Sequence, residues 1–182
     1  QLGYLFFAKT GKILSHGPVA QSTYYLNETF KKTDYETYLA YKFNFRNQAT
    51  LNGLAAMNYV KLLRPFDPTN SGLDSLQTGT EHNWNNFSLE YISSPRNLFT
   101  YSAYLRYGGY FAEGTRLQVT NELGYRFQPY VGITMSTSYN DLRLPMPWGK
   151  RTYWLIGPRI DVTFTNKLYF TAFGQYNEQT KN

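Results

Sequence analysis

The sequence predicts an all-β chain, an antiparallel sheet in which the strands follow one another in up-and-down order. Apolar and polar residues alternate with a period of two over most of the 182 residues. No stretch long enough for a helix shows the 3.6-residue period of one. Residues that favour turns separate the alternating segments. Aromatic residues make up 19% of the chain, and aromatic rings pack well on a pleated surface. We therefore expect about ten strands and essentially no helix.

The alternation is clearest from Trp84 to Ile92, where Phe87, Leu89 and Tyr91 alternate with polar residues. The turn 93–97 follows, with proline and asparagine as turn residues. Comparable segments are predicted at 38–46, 49–62, 98–108, 117–126, 131–140 and 154–164. Asn121 is the one polar residue on an otherwise apolar side of its segment. Less regular strands are predicted at 1–8, 19–27 and 168–176.

Two features of these segments place the predicted sheet in a membrane. The segments run for about 9–14 residues, whereas strands of soluble proteins average about 5–6 and a tilted membrane strand needs about 9–11. Short and long connections also mostly alternate, as they do between the two ends of an outer-membrane barrel. The segment from Ala8 to Pro18, long on the side of the short turns, is the exception. The sequence thus predicts a transmembrane β-barrel.

The predicted barrel occupies residues 1–182 as a single domain that is incomplete at both ends. In lipid no strand edge can stay unpaired. The chain begins within a predicted strand and ends in the polar run 177–182. Ten strands could close into a small barrel, but these ends favour a fragment of a larger one. Composition excludes other classes, because there is no apolar run of 18 residues for a membrane helix and no cysteine for disulfides or thiolate metal sites.

Several stretches resemble a family of Bacteroidota outer-membrane proteins. In that family an N-terminal module like carbohydrate-binding family 9 precedes a C-terminal barrel of unknown function. The similarity extends over most of the chain from about Val19 onward, and it rests on the segments Leu62–Pro68, Trp84–Tyr91, Gly108–Phe111, Leu155–Thr165 and Phe173–Asn177. The resemblance implies a membrane barrel with further strands after the last of these segments. It brings no catalytic or binding residues to this chain.

Eight ionisable residues fall on the polar side of the predicted strands and would face the lumen of a barrel. Both signs occur on neighbouring strands, so cross-strand ion pairs are expected. Two interpretations stay open: the residues line a channel and set its charge preference, or they form a satisfied polar network that fills a narrow lumen. The eight are Lys42, Arg46, Glu90, Arg106, Glu122, Arg126, Arg159 and Asp161.

No catalytic residue, metal ligand or cofactor is predicted. An enzyme would need a nucleophile beside a base, or a carboxylate pair beside a histidine. The two histidines, His16 and His82, fall in predicted connections. Because Glu81 is adjacent to His82 and Asp74 is nearby in sequence, a hydrolytic site in that loop is the rival hypothesis.

The predicted loop 64–83 either contacts a partner, with Pro65, Phe66 and Pro68 as anchors, or is a mobile loop at the barrel rim. Aromatic residues near the strand ends are expected in the girdles that flank a membrane, although such rings also bind sugars. These aromatics are Tyr4, Tyr24, Trp84, Tyr107, Tyr125, Tyr139, Trp148 and Trp154.

The leading hypothesis is an anchoring or scaffold role in an envelope complex of the bacterial outer membrane, with the substrate unknown. The expected partners are outer-membrane lipids or lipopolysaccharide and other envelope proteins. Nucleic acid is not expected, because the Lys and Arg residues behind the net charge of +6 are scattered. The alternatives are a passive pore for small solutes, a barrel tied to carbohydrate binding or uptake, and a soluble sandwich or lipocalin-like carrier.

Overall fold

A computed structural model describes residues 1–72 and 74–178 of the chain. Twelve strands form one antiparallel sheet, and there is no helix in this part of the chain. The strands are β1 (Leu2–Gly3), β2 (Phe6–Phe7), β3 (Ile13–Leu26), β4 (Lys32–Phe45), β5 (Thr50–Lys61), β6 (Glu81–Ile92), β7 (Phe99–Gly109), β8 (Thr115–Phe127), β9 (Val131–Arg143), β10 (Lys150–Thr165), β11 (Leu168–Phe173) and β12 (Tyr176–Asn177). The all-β, up-and-down prediction is confirmed.

The sheet is ten rows wide, because each of its edge rows is divided into two short strands. β1 and β2 both pair with β3, and β11 and β12 both pair with β10. From β3 to β10 every strand pairs with its neighbour in sequence. The structure therefore has twelve strands where the alternation predicts about ten.

Both divisions lie opposite a proline in the neighbouring strand. The carbonyl oxygen of Pro18 accepts a hydrogen bond from the Tyr4 amide at 3.1 Å, and that of Pro158 accepts one from the Gly174 amide at 2.9 Å. In an antiparallel ladder the N and O of one residue point to the same neighbour, so each proline also turns its missing N–H toward the edge row. The edge row lacks one ladder bond there, and its strand ends. Proline beside a sheet edge is tolerated for the same reason.

The sheet is open in the residues that the structure describes. No backbone pairing joins the edge made by β1 and β2 to the edge made by β11 and β12. This sheet by itself is therefore not a closed barrel, and the transmembrane barrel expected from the sequence is not confirmed. The described residues also contain no helix long and apolar enough to cross a membrane.

Several strands are longer than the alternation predicts. β3 begins at Ile13 rather than Val19, so the connection before it is only 8–12 and the apparent exception to the alternation of connection lengths disappears. Arg143 pairs with both Thr115 and Lys150, which shortens the predicted loop 141–151 to 144–149. The predicted strand 168–176 is interrupted at 174–175.

The connections divide the molecule into two ends. At the end called here the turn end lie the connections 8–12, 46–49, 93–98, 128–130 and 166–167. At the opposite end, the loop end, lie 27–31, 62–80, 110–114 and 144–149. The strands between them are mostly 11 to 16 residues long.

The burial of the two faces is inverted relative to a water-soluble sheet. On β6, Phe87 is 52% exposed and Leu89 40%, whereas Asn86 and Ser88 are only 9% and 6% exposed. The register extends this arrangement across the sheet, because Phe87 pairs with Ala55 and Leu89 with Leu105. We call the side of Phe87 the apolar face and the side of Ser88 the polar face. Because the strands form a single layer, the greater burial of the polar face means that the sheet curves around it.

Hydrophobic burial is concentrated at the loop end rather than along the strands. The one cluster of buried hydrophobic residues in the described chain consists of Leu142, Leu144 and Trp148. Leu76, Tyr110, Ala112 and Tyr153 pack against this cluster, which we call the loop-end cluster.

Asn121 is the one polar residue that the alternation places on the apolar side of its strand. Its side-chain oxygen accepts a hydrogen bond from the Tyr101 hydroxyl at 3.3 Å.

Candidate functional site

The predicted charged residues are all placed by the register on or next to the polar face. Asn52 pairs with both Lys42 and Glu90, and Gly132 pairs with both Arg126 and Asp161. Glu122 pairs with Ser102 and Ser136, Arg106 with Ser88, and Arg159 with Thr134. Arg46 is the residue that follows the last residue of β4.

Two of these residues fasten connections at the turn end. The Arg46 guanidinium donates to the carbonyl oxygens of Gly11 at 2.9 Å and Ala8 at 2.6 Å. The Arg126 guanidinium donates to the carbonyl oxygens of Pro95 at 2.5 Å and Asn97 at 2.6 Å. Each arginine thus provides hydrogen bonds to two carbonyl groups that lie in a connection rather than in a strand.

A third pair lies within one strand. Arg159 and Asp161 form an ion pair at 2.9 Å, and the Thr171 hydroxyl donates to Asp161 Oδ1 at 2.7 Å. In the described part of the chain, Lys42, Glu90, Arg106 and Glu122 form no ion pair. The cross-strand ion pairs expected among these eight residues are therefore not formed.

Residues 62–72 and 74–80 fold into a structure of their own. Phe66 and Leu76 exchange two backbone hydrogen bonds of 3.1 and 2.8 Å, and Leu62 N donates to Thr80 O at 3.0 Å. Between them, the Asp67 carboxylate accepts hydrogen bonds of 2.7 to 2.9 Å from the amides of Thr69, Ser71 and Gly72. Burial acts to raise the pKa of Asp67, but these hydrogen bonds outweigh it and hold the pKa below the usual range of a carboxyl group.

This folded segment packs over the polar face at the loop end. The Tyr153 hydroxyl donates to Thr69 O at 2.6 Å, the Trp148 indole to Asp74 O at 2.5 Å, and the Tyr110 hydroxyl to Pro68 O at 3.3 Å. Thr69 is only 2% exposed. Phe66, one of the predicted anchors, packs on the ring of Phe111 with 4.8 Å between centroids.

Two of the eight aromatic residues expected in membrane girdles lie elsewhere. Trp84 shares the polar face with Ser88 and packs on Phe111 at 4.8 Å, and Trp148 lies in the loop-end cluster. Tyr139 and Trp154 do pack on each other on the apolar face, with 4.7 Å between ring centroids. The girdle prediction is wrong for Trp84 and Trp148 because a strand end does not reveal which aromatics a loop will cover.

The predicted hydrolytic site is not assembled. His82 lies in β6 and His16 in β3, not in connections. His82 Nδ1 accepts from the Ala112 amide at 3.4 Å and its Nε2 contacts the Thr80 hydroxyl at 3.1 Å, while Glu81 pairs instead with Lys61. No group of three metal-binding side chains occurs among the residues that the structure describes.

A cavity of about 500 Å³ lies between residues 65–70 and the polar face. Its wall includes Arg116, Asn140 and Tyr110. Arg116 Nη2 and Nε donate to Asn140 Oδ1 at 2.7 and 3.2 Å, and its guanidinium carbon lies 5.7 Å from the centre of the Tyr110 ring.

Tyr110 and Arg116 are electrostatically linked at this cavity. Burial raises the pKa of Tyr110, and the positive charges of Arg116 and Arg106 only partly offset that effect. The phenol is therefore neutral at neutral pH. Arg116 is not among the residues predicted for the polar face, because the predicted segment begins at residue 117. Extending the alternation back from Gln118 by two residues places Arg116 on the polar face.

The comparisons with known proteins add no relative. No protein-family model matches the chain, no curated protein is significantly similar to it in sequence, and no solved structure matches its fold. The resemblance to the Bacteroidota family accordingly remains a prediction.

Proposed function

We propose that this sheet is part of the wall of a transmembrane β-barrel in a bacterial outer membrane, and that the barrel anchors or scaffolds an envelope complex. One observation carries the membrane assignment: large apolar side chains such as Phe87 are exposed along one face, while uncharged polar side chains of the other face, such as Asn86 and Ser88, are sheltered. A soluble sheet would bury its apolar face against a second layer. Hydrocarbon is the solvent that matches the exposed face.

The surface of the apolar face fits this placement from end to end. Near the loop end Tyr24, Tyr35 and Tyr59 form a ladder with 5.5 Å between successive ring centroids, and Lys32 Nζ lies 3.8 Å from the centre of the Tyr59 ring. Near the turn end Tyr125 and Phe127 pack edge to face at 4.6 Å. Aromatic belts with a lysine toward water are typical of membrane interfaces. The partners of this face would be outer-membrane lipids or lipopolysaccharide.

The anchoring role is supported by the loop end. Residues 62–72, 74–80 and 144–149 form a packed surface over the polar face rather than separate extended loops. Such a preformed surface suits contact with another envelope protein, because little chain entropy is lost when it binds. The unpaired edges of the sheet must also be paired in a membrane, by further strands or by another chain.

A matched pair of substitutions tests the membrane placement. Leu105 lies on the apolar face and Tyr104 beside it on the polar face. With the chain refolded into phospholipid vesicles, we expect Leu105→Lys to weaken insertion by about 2–4 kcal/mol, the cost of a lysine facing lipid near the midplane. Tyr104→Lys should insert nearly as well as the wild type. Equal effects of the two substitutions, or a chain that stays dispersed without detergent, would contradict the proposal.

A passive pore is the second candidate, and the polar face supports it. Lys42, Glu90, Arg106 and Glu122 lie along that face without ion pairs within the described residues, as the lining of a water-filled lumen would require. Planar-bilayer recording separates the two functions. An anchoring barrel covered at its loop end should pass no steady current, whereas a pore should conduct, and a charge reversal at Arg106 should change its ion selectivity.

A further inference from the structure

Arg116 is a sheltered cation whose contacts in the structure are all neutral. Its partners are the Asn140 amide oxygen and the face of the Tyr110 ring, and it forms no ion pair in residues 1–72 and 74–178. Withdrawing a guanidinium from water without an anion is unfavourable, and the usual remedy is a carboxylate or phosphate that accepts its forked N–H groups. The wall of the cavity contains the donor, but none of the described residues supplies an anionic acceptor to Arg116.

A second arginine adds to the positive potential at this place. Gly108 pairs with Arg116 and Arg106 pairs with Gln118, so the two arginines are diagonal neighbours on the polar face. Arg106 forms no ion pair within the described residues either. Two unneutralised cations this close repel each other, and an anion between them would remove that repulsion.

The nearest carboxylate in the cavity wall is already engaged. Asp67 accepts hydrogen bonds from three backbone amides and from the Thr69 hydroxyl, all within its own loop. It does not pair with Arg116. Its negative charge nevertheless disfavours a second anion at the loop side of the cavity. An anionic group is thus favoured on the side of Arg116, and neutral hydroxyl groups are favoured on the side of Asp67.

We propose that this cavity binds a small hydroxylated solute through one oxyanion group, a carboxylate or a phosphate, held by Arg116. The volume of about 500 Å³ lies within the range of small-molecule sites. Tyr110 contributes an aromatic wall and a neutral hydroxyl. This binding is separate from the anchoring role, and it does not depend on whether the apolar face contacts lipid.

Calorimetric titration of the detergent-solubilised chain tests this binding site, with glucuronate, glucose and inorganic phosphate as probes. We expect glucuronate to bind and glucose, which has the same ring without the charge, to bind at least about tenfold more weakly. Phosphate binding that also depends on Arg116 would show that the oxyanion alone is recognised. Glucose binding as tightly as glucuronate, or no binding of either anion, would overturn the proposal.

Three variants assign the binding to Arg116. Arg116→Gln should weaken glucuronate binding by about 10- to 100-fold, the range of a charged hydrogen bond. Arg116→Lys keeps the charge without the fork and should show a smaller loss. Arg64→Gln removes an equal charge from an exposed position at the same end and should change binding less than about twofold. Equal losses of glucuronate binding in Arg116→Gln and Arg64→Gln would show that only the net charge of the chain matters, and would overturn the proposal. Circular dichroism of each variant checks that the sheet is intact.

Discussion

The two ends of this molecule are stabilised by different means. The five connections of the turn end have three to six residues in most cases, and they contain Lys9, Lys12, Arg46, Arg96 and Lys167 without a single acidic residue. The connections of the loop end contain two basic residues and four acidic ones: Lys31, Arg64, Glu28, Asp67, Asp74 and Glu113. One end is basic and the other weakly acidic.

The difference in length explains the difference in stabilisation. The short turns bury no large apolar side chain. Carbonyl groups of the turns 8–12 and 93–98 are instead satisfied by the guanidinium groups of Arg46 and Arg126. The loop 62–80 is long enough to form its own backbone bridge and to pack on the loop-end cluster. The loop end should therefore respond to changes in packing, and the turn end to changes in hydrogen bonding.

The largest expected effect is at the loop-end cluster. Leu142 is 5% exposed, and Leu142→Ala should destabilise the loop end by about 2–5 kcal/mol through lost contacts and a cavity. Leu123→Ala, on the exposed apolar face, is the matched control and should cost much less. Hydrogen exchange of the Phe66 and Leu76 amides, which form the bridge of the loop, measures local opening. Equal exchange in both variants would contradict the idea that this cluster holds the loop.

A smaller effect is expected at Asp67, with a defined pH dependence. Because its folded pKa is depressed, the ionised carboxylate stabilises the loop above the usual carboxyl pKa of about 4, and this contribution is lost as the pH falls through the folded pKa. The indole N–H resonance of Trp148, which donates to Asp74 O, should shift as the loop loosens in acid. Asp67→Asn should already be loosened by about 1 kcal/mol at pH 7 and respond less to acid. An unchanged acid response in Asp67→Asn would assign the transition to another group.

Local patterns were sufficient to predict the strands and which face most residues occupy. The period of two is a property of the extended backbone itself, so Phe87, Ser88 and Glu90 could be assigned to faces without knowing any partner. The divisions of the edge rows had a signal as well, in Pro18 and Pro158. Predicting them required knowing that both residues turn their nitrogen toward an edge, which depends on the register.

The arrangement of the loop end could not be predicted from local patterns. The hydrogen bond from Tyr153 to Thr69 joins residues 84 positions apart, and that from Trp148 to Asp74 joins residues 74 apart. No periodicity connects such positions. For this reason Trp84 and Trp148 were predicted to be girdle residues. The cavity at Arg116 could not be predicted either, because residues 65–70 of the loop form part of its wall.

The smallest expected effect is at the turn end. Arg126 donates to two carbonyls of the turn 93–98, whereas Arg96 within the same turn has the same charge and makes no side-chain hydrogen bond to these carbonyls. Arg126→Ala should loosen the turn by about 1 kcal/mol, reduced from the value of a buried charged hydrogen bond because the side chain is exposed to solvent. Arg96→Ala should have almost no effect. Hydrogen exchange of the Asn97 amide measures both effects. Raised salt is a further check, because hydrogen bonds to neutral carbonyls are screened much less than the repulsion among the positive charges of this end. If Arg96→Ala loosened the turn as much as Arg126→Ala, the two hydrogen bonds of Arg126 would not be the cause, and the contrast between a hydrogen-bonded end and a packed end would fail.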